Sequence, residues 1–382
     1  MPPLSLLLSA GEASGDMYAA RLAKALKERT DVSIFGMGGP KMREAGVDII
    51  TDYSEVSVVG ITEILGHLPS LIRAMRGLVS EAERRKPDFA VLTDFPGFHL
   101  RLARKLRRRG IRNIYYICPQ FWAWRPWRAR LVKRRFALGL CIFPFEEKFF
   151  ADAGVPVKFI GHPLVGEVKA SVGREEFCQR QGLDTAKPIV TILPGSRAGE
   201  LRHHLQTLRD ASVLIHRETG AQFVLAAAPG TGLADLRDGW DSCLAVRIAE
   251  AQTYDALGAA DAAIVASGTA TVEAAMLDVP MVVVYKVAPL TALLAKPLVR
   301  TPFFSMVNLI AGRRVVPELI QKDFTPMLVA GEIVTLLRDS MARESLRTGL
   351  AEVRKLLGPP GAVERAADAI IHLAKSQLGN AK

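Results

Sequence analysis

Nine short apolar runs, separated by helix-patterned segments, constrain this sequence most. They are LSLLLSA, VSIFGMG, FAVLTDF, NIYYICP, LCIFPF, PIVTILPGS, QFVLAAAPG, AAIVAS and PMVVVYK. Each has the length and apolar character of a strand buried on both faces of a parallel sheet. Parallel strands need long crossover connections, usually helices, so the alternation predicts β-α-β winding.

The runs fall into two groups, which predicts two similar α/β units. The chain has 382 residues, more than one domain usually holds. We therefore expect two α/β domains with the functional site in the cleft between them. The charged, strand-poor stretch 161–186 marks the crossing. The predicted domains are 1–165 and 166–345, and the helices of 346–382 are free to pack back on the first.

The charge balance limits the classes of partner that this chain is expected to bind. Fifty Lys and Arg against 39 Asp and Glu give a net charge of +11, which favours nucleotide phosphates, nucleic acid or an anionic membrane face. No apolar run approaches the ~20 residues of a membrane-spanning helix, and the N-terminus lacks the basic start of a signal peptide. Four cysteines without CxxC spacing argue against disulfides and zinc, and indicate a reducing cytoplasm.

The turn LPGSR predicts a diphosphate site. Gly195, Ser196 and Arg197 follow a predicted strand and precede the helical ELRHHLQTL. Glycine lets an anion approach, amides and a hydroxyl donate to phosphate oxygens, and arginine holds two oxygens at once. The alternative is an ordinary β-α turn with an exposed arginine.

The turn ASGTATVE predicts a sugar site in the same half of the chain. Ser267, Gly268, Thr269 and Thr271 place small donors at a helix N-terminus, and Glu273 can accept both ribose hydroxyls. The alternative is a capping box with Glu273 as its acid.

Two acids in the first half are candidates for catalysis. Glu12 lies inside the glycine loop AGEASGD, where it would repel a phosphate, so a neutral hydroxyl-bearing ligand is expected there. Asp94 follows the buried run FAVLT, and a desolvated carboxylate there can have its pKa raised towards general-base work. The alternative for Asp94 is a turn-capping role.

Three further segments have residue patterns that are typical either of a binding surface or of ordinary packing and solvent exposure. The run PQFWAWRPWRARLVKRR mixes Trp122, Trp124 and Trp127 with cations, as at membrane interfaces or nucleic-acid stacking sites, unless the rings pack internally. The helical pattern of RLARKLRRRGIR predicts one basic face, typically solvated, that carries Arg101, Arg104, Lys105, Arg108 and Arg112. The apolar residues of Leu65–Leu78 predict either an acyl-chain groove or core packing.

The ordered motifs resemble the lipid-A-disaccharide synthases, glycosyltransferases of the GT-B type, and the resemblance implies two Rossmann-like domains that face each other across a cleft. The resemblance extends from about residue 9 to residue 321. It is carried by AGEASGD, GMGGPKM, VVGITEIL, PQFWAWR, FPFEEKFF, FIGHPLV, LPGSR, ASGTATVEA and NLIAGRRVVPELIQ. One departure is DFPGFH, where many members have DxPDFN, so that Gly97 replaces an acid.

The resemblance implies an inverting reaction. A 2,3-diacylglucosamine unit passes from UDP-2,3-diacylglucosamine to 2,3-diacylglucosamine 1-phosphate, giving a β-1,6-linked disaccharide and UDP. It implies UDP contacts at Arg197 and Glu273, places Asn308 near the nucleotide, and assigns the acceptor to the first domain. Asp94 ranks first as the base and Glu12 second.

The resemblance also implies where the protein acts. The expected location is cytoplasmic, peripheral on the anionic inner face of the inner membrane, and a homodimer is left open. No cofactor or metal is expected, because the sequence has no DxD triplet. The rival functions are another GT-B enzyme on UDP-N-acetylglucosamine, transferase or 2-epimerase, and a basic nucleic-acid-binding protein. The two anion-type turns favour a nucleotide over nucleic acid.

Overall fold

A computed structural model describes residues 3–56, 68–227, 236, 238–240, 244–288, 291–292 and 301–380. The chain forms two compact units. The first comprises Met1–Pro163 and Gly358–Lys382, and the second comprises Leu164–Leu357. Each unit contains a parallel sheet with helical connections, so the prediction of two α/β units is confirmed.

The first unit contains a seven-stranded sheet with the order β3-β2-β1-β4-β5-β6-β7. Its strands are β1 Leu4–Ala10, β2 Val32–Gly38, β3 Asp48–Asp52, β4 Phe89–Thr93, β5 Arg112–Tyr116, β6 Leu138–Cys141 and β7 Val157–Phe159. Its first helices are α1 Ala13–Arg29, α2 Pro40–Glu44, α3 Leu68–Arg85, α4 Pro96–Arg107, α5 Phe121–Trp124, α6 Ala129–Arg135 and α7 Pro144–Asp152. All described pairings are parallel.

The second unit contains a six-stranded parallel sheet with the order β10-β9-β8-β11-β12-β13. Its strands are β8 Ile189–Leu193, β9 Gln222–Ala227, β10 Val246–Glu250, β11 Ala262–Ala266, β12 Met281–Tyr285 and β13 Glu318–Ile320. Its described helices are α8 Arg174–Gln181, α9 Ala198–Thr219, α10 Thr253–Gly258, α11 Ala270–Met276, α12 Met306–Ala311, α13 Pro326–Arg338 and α14 Ser340–Leu356.

The final helix, α15 (Ala362–Asn380), belongs to the first unit and packs on α1. Arg365 Nε donates to the carbonyl of Ile160 at 2.8 Å, and Arg29 pairs with Asp368 at 3.4 Å. The chain therefore returns to the first unit at Gly358, and its last helix completes that unit. None of the described helices is long and apolar enough to cross a bilayer.

Central strands are buried because helices cover both faces of each sheet. Every residue of β4, β8 and β11 is buried, and their apolar side chains form much of the core. In the segment Leu65–Leu78, Met75 and Leu78 are buried, which favours the core alternative for them, whereas Ile72 is 43% exposed. Leu65 and the side chain of Leu68 lie outside the described residues.

Each sheet has one point where the strand order changes direction. In the first it lies between β1 and β4, and in the second between β8 and β11. Open parallel sheets bind ligands beyond the carboxyl ends of the strands at such switch points. The motifs singled out in the sequence follow these four strands.

Candidate active site

Asp94 lies in a strained turn directly after β4. Its φ is 56° and that of Phe95 is 39°, a left-handed conformation that is uncommon outside glycine. Side chains from β5 and α4 bond this backbone directly, and a side chain from β1 supports it through His99. The hydroxyl of Tyr115 and Nδ1 of His99 both donate to the Asp94 carbonyl at 2.9 Å. With Nδ1 donating, His99 Nε2 accepts from the Ser9 hydroxyl at 2.8 Å.

The Asp94 carboxylate is held against the glycine loop after β1. Oδ1 accepts from the Gly11 amide at 2.9 Å, whereas Oδ2 is buried without a hydrogen bond from the described residues. A Cβ on Gly15 would lie 1.5 Å from Oδ2, and one on Gly11 would lie 2.5 Å from the Phe95 ring. The two glycines therefore permit the approach of the Asp94 turn.

The two other acids of this loop differ. Glu12 is exposed, and its side chain makes no capping bond to α1. Asp16 is buried and accepts from the amides of Gly39, Lys41 and Met42 at 2.7–3.2 Å. Asp16 therefore fixes the turn after β2, a role that the sequence analysis missed. Glu12 remains available near Asp94.

Burial raises the pKa of Asp94 to about 8. The charges of Glu12 and Asp16 raise it further, and the amide bonds of Gly11 and Glu12 partly offset the rise. A carboxylate with this pKa binds a proton near neutral pH, as a general base requires. The unpartnered Oδ2 is the atom placed to receive it.

The same pKa shift predicts a pH-dependent stability. The folded state holds the Asp94 proton more tightly than the unfolded state, whose pKa is near the ordinary 3.8. The stabilisation is thus fully present below pH 3.8 and is lost as pH rises through about 8, by at most ~1.4 kcal/mol per pH unit. Urea unfolding at pH 5 and pH 8 should show a smaller fall for Asp94→Asn than for the parent. An equal fall in the free energy of unfolding for the two proteins would show that Asp94 is not the group whose pKa is raised.

The aromatic loop after β5 has one anchored tryptophan and two exposed ones. Trp122 Nε1 donates to Glu146 Oε1 at 3.0 Å, and its ring packs edge-on against Phe145. Glu146 is buried, and this burial raises its pKa to about 7. Trp124 and Trp127 are 41% and 59% exposed. The internal-packing alternative therefore holds for Trp122 but not for Trp124.

The LPGSR turn after β8 presents one long cation. Ser196 and Arg197 donate their backbone amides to Glu200 Oε2 at 3.1 and 3.3 Å. These amides were expected to face phosphate, but here Glu200 accepts from them. The Arg197 side chain is 81% exposed and lies 3.4 Å from Glu200 Oε1. Gly195 has φ 109°, and a Cβ there would lie 2.5 Å from Glu200 Oε2.

Buried His204 supports this turn from behind. Its Nδ1 donates to the Pro194 carbonyl at 2.7 Å, and its Nε2 accepts from the Lys286 amide at 3.0 Å. Pro194 follows β8 and Lys286 follows β12, so the histidine joins the ends of two strands. Burial lowers its pKa, which favours this neutral form.

The turn after β11 uses some of its hydroxyls internally. Ser267 Oγ donates to the Phe304 carbonyl at 2.7 Å, and buried Thr271 Oγ1 donates to the Gly268 carbonyl at 2.8 Å. Gly268 and Thr269 are exposed. Glu273 accepts from the Tyr254 hydroxyl at 3.1 Å, and burial raises its pKa. It makes no capping contact with Thr269, so the capping-box alternative is wrong.

Asn308 is buried, and its side-chain amide is used by the chain itself. Nδ2 donates to the Val316 carbonyl and Glu318 Oε1, and Oδ1 accepts from the amides of Val315 and Val316, all at 2.7–2.9 Å. Glu318 also accepts from the amide of Phe304, whose carbonyl accepts from Ser267. Asn308 therefore supports the turn after β11 from behind.

The structure brings the predicted residues together in pairs of turns. Glu12 and Asp94 follow β1 and β4, the neighbours at the first switch point. Arg197 and Glu273 follow β8 and β11, the neighbours at the second. Each pair lies at the carboxyl edge of its own sheet, where ligands bind in this class of fold.

Comparison with known proteins identifies the relatives of the chain. The profile of the family described as lipid-A-disaccharide synthetase matches residues 6–366. Lipid-A-disaccharide synthase of Solibacter usitatus is 45% identical over 375 residues, which cover 98% of each chain. The enzyme of the same name from Koribacter versatilis is 46% identical, covering 97% of this chain and 99% of its own.

Solved structures share the fold at low sequence identity. UDP-GlcNAc 2-epimerase from Neisseria meningitidis, bound to UDP-GlcNAc, has a TM-score of 0.68 at 12% identity, covering 97% of this chain and 100% of its own. MurG from Acinetobacter baumannii has a TM-score of 0.59 at 17% identity with the same coverage. At such identities the likeness extends to architecture alone.

Proposed function

The chain belongs to the lipid-A-disaccharide synthetase family, and from this premise we propose how its two switch-point sites divide the reaction. The protein is a glycosyltransferase that forms the lipid A disaccharide. The observation that supports this proposal is that each sheet has a pair of reactive turns at its switch point. One pair is acidic, and the other combines an exposed arginine with a half-buried glutamate.

The proposed donor is UDP-2,3-diacylglucosamine, held by the second unit. Arg197 binds the diphosphate together with the turn of Gly195 and Ser196. Its guanidinium is exposed, and its planar set of N–H donors can bind two phosphate oxygens at once. Glu273 accepts from the ribose hydroxyls beside exposed Gly268 and Thr269. Ser267, Thr271 and Asn308 shape that turn by their internal bonds.

The proposed acceptor is 2,3-diacylglucosamine 1-phosphate, held by the first unit. Its 6-hydroxyl oxygen attacks the anomeric carbon while the bond from that carbon to the UDP oxygen breaks. The hydroxyl proton passes to Asp94 Oδ2, and UDP leaves with the bonding electrons. Attack from the side opposite UDP converts an α-linked donor into a β-1,6-linked product. Glu12 orients the acceptor.

The function is tested by incubating the protein with both acylated sugars and identifying products by mass. A disaccharide 1-phosphate and UDP are expected in equal amounts, with a β linkage by NMR. Unacylated UDP-N-acetylglucosamine is the control donor. Turnover of that donor alone, with epimerised product, would instead support the 2-epimerase alternative, for which the low-identity neighbours give only the fold.

We expect activity without a divalent metal. The sequence has no DxD triplet to hold a metal on a diphosphate, so Arg197 and the helix N-termini must balance the leaving charge. Activity should be unchanged within about twofold after chelation with EDTA. Loss of activity on chelation, with recovery on adding magnesium or manganese, would overturn this assignment.

The proposed place of action is the anionic inner face of the inner membrane. Acylated substrates reside in a bilayer, and the charge of +11 favours an anionic surface. Binding to anionic vesicles should weaken as salt is added, since exposed charges are screened. A homodimer is compatible with this proposal, and sedimentation would establish it.

A further inference from the structure

A basic groove runs along α4 and α6 in the first unit. We call it the α4–α6 groove. It encloses about 570 Å³, and none of the described residues that line it is acidic. An adjoining groove of about 530 Å³ shares Arg104, Arg108, Leu131 and Arg135 with it. The cations lining the α4–α6 groove are Arg101, Arg104, Lys105, Arg108, Arg128 and Arg135.

These six cations have no acidic partner among the described residues, unlike neighbouring arginines. Arg85 pairs with Asp48 and Glu81 at 2.6 and 2.7 Å, and Arg109 pairs with Glu83. Burial and then the charges of nearby arginines lower the pKa of Arg128 and of Arg135. Such mutual repulsion is relieved when an anion binds between the cations.

The groove is formed by the fold itself. Asn113 Nδ2 donates to the carbonyls of Ala103 and Arg135 at 2.9 and 2.8 Å, which ties the two helices together. Arg135 Nη1 donates to the Leu100 carbonyl at 2.8 Å. The two helices and the Arg135 guanidinium are therefore held in place before any ligand arrives, which reduces the entropy lost on binding.

The length of the α4–α6 groove and the exposed tryptophan at its edge favour binding to a surface that carries many phosphate groups over binding of a single phosphate. Arg101 in α4 and Arg108, its C-terminal cap, are seven residues apart, or roughly 10 Å at a helical rise. Trp127 lines the groove while 59% exposed, and Arg128 lies 5.6 Å from its ring centroid. Exposed tryptophan beside arginine is typical of the headgroup layer of a bilayer.

The groove begins next to the proposed base. Gly97, in the first turn of α4, lines it and is three residues after Asp94. Their Cα atoms are thus at most about 11 Å apart, the reach of three residues. A bilayer surface on the groove would therefore lie close to the carboxyl edge of the first sheet.

We propose that the α4–α6 groove binds the phosphate groups of anionic phospholipids and so docks the first unit on the membrane. The proposal rests on the proposed function, in which the acceptor is an acylated sugar that lies in the bilayer. Docking there presents Asp94 to substrates at the surface. The groove acts in delivery of the acceptor and takes no part in the chemical step.

The test compares two double variants with equal charge changes. Arg104→Gln/Arg108→Gln removes two exposed cations that line both grooves, and glutamine preserves the helix. Lys24→Gln/Lys355→Gln removes two exposed cations elsewhere on the chain. Each groove cation should contribute about fivefold to vesicle affinity, so the first variant should bind about 25-fold more weakly. The probe is phosphatidylcholine vesicles containing one quarter phosphatidylglycerol.

Kinetics separate this proposal from the proposed function. The groove variant should lose activity on substrates embedded in those vesicles and keep parental activity on the same substrates dispersed in detergent. Vesicle binding equal to that of the control variant would overturn the proposal. So would loss of binding to an RNA oligonucleotide with vesicle binding intact, which would assign the groove to nucleic acid. Inactivity of the parent in detergent would instead refute the proposed function.

Discussion

Replacing Asp94 by Asn is expected to lower turnover by about 10²- to 10⁴-fold, the usual contribution of a positioned general base. Asparagine has the shape of the carboxylate, and its Oδ1 can still accept from the Gly11 amide. The buried Oδ2 is replaced by an amide nitrogen that cannot take the acceptor proton. UDP binding should be nearly unchanged, because the nucleotide is assigned to the second unit. Steady-state kinetics and UDP titration measure the two effects separately.

Two controls distinguish a base from a merely structural acid. The parent's activity should rise with pH through about 8 as Asp94 ionises, and this limb should be absent from the residual activity of Asp94→Asn. Glu12→Gln should have the smaller effect if Glu12 orients the acceptor. Were Glu12→Gln inactive and Asp94→Asn active, the two roles would be exchanged. An α-linked product would refute the single displacement.

The nine strands predicted from sequence are the interior strands of the two sheets. The four that the sequence analysis missed are β3, β7, β10 and β13, which are the edge strands. Interior strands are covered on both sides and form continuous apolar runs. Edge strands face solvent and carry charges, such as Asp48 and Asp52 in β3 or Arg247 and Glu250 in β10. Apolar continuity therefore identifies the centre of such a sheet but not its borders.

The places of the candidate site residues in the fold were predictable where a turn directly follows an apolar strand. Asp94, Arg197 and Glu273 each follow an apolar run, and strand ends are where ligands bind in this fold. The supporting residues were missed, because their partners are distant in sequence. Ser9 and His99 are separated by 90 residues, and His204 and Lys286 by 82. No local pattern marks a buried histidine as the support of a remote turn.

Glu200 was also missed, although it is only three residues from Arg197. Its carboxylate accepts from the amides of Ser196 and Arg197, the two donors that the turn pattern assigns to phosphate. An acid in the first turn of a helix is favoured by the helix dipole and reads as an ordinary N-terminal residue. In the proposed donor site, the diphosphate therefore depends on the Arg197 side chain more than the sequence pattern indicates.

That reliance gives the second large effect, the loss expected for Arg197→Ala. Removing a donor aimed at charge that develops in the transition state typically costs 10²- to 10³-fold in turnover, and we expect a loss of this size. The fold should be unaffected, because the side chain is 81% exposed and Glu200 retains its bonds to the turn amides. Circular dichroism and thermal unfolding check the fold, and single-turnover kinetics measure the loss.

The matched control is Arg202→Ala, which removes an exposed arginine of α9, five residues beyond Arg197 at the start of that helix. It changes net charge equally, so a general electrostatic effect would lower both activities alike. Arg197→Lys should recover only part of the loss, because an ammonium keeps the charge but cannot bind two phosphate oxygens in the planar, bidentate manner of a guanidinium. Near-parental turnover in a folded Arg197→Ala variant would remove this residue from the mechanism. Helix N-termini contribute only about 0.3–1 kcal/mol, so another cation would then have to balance the leaving charge.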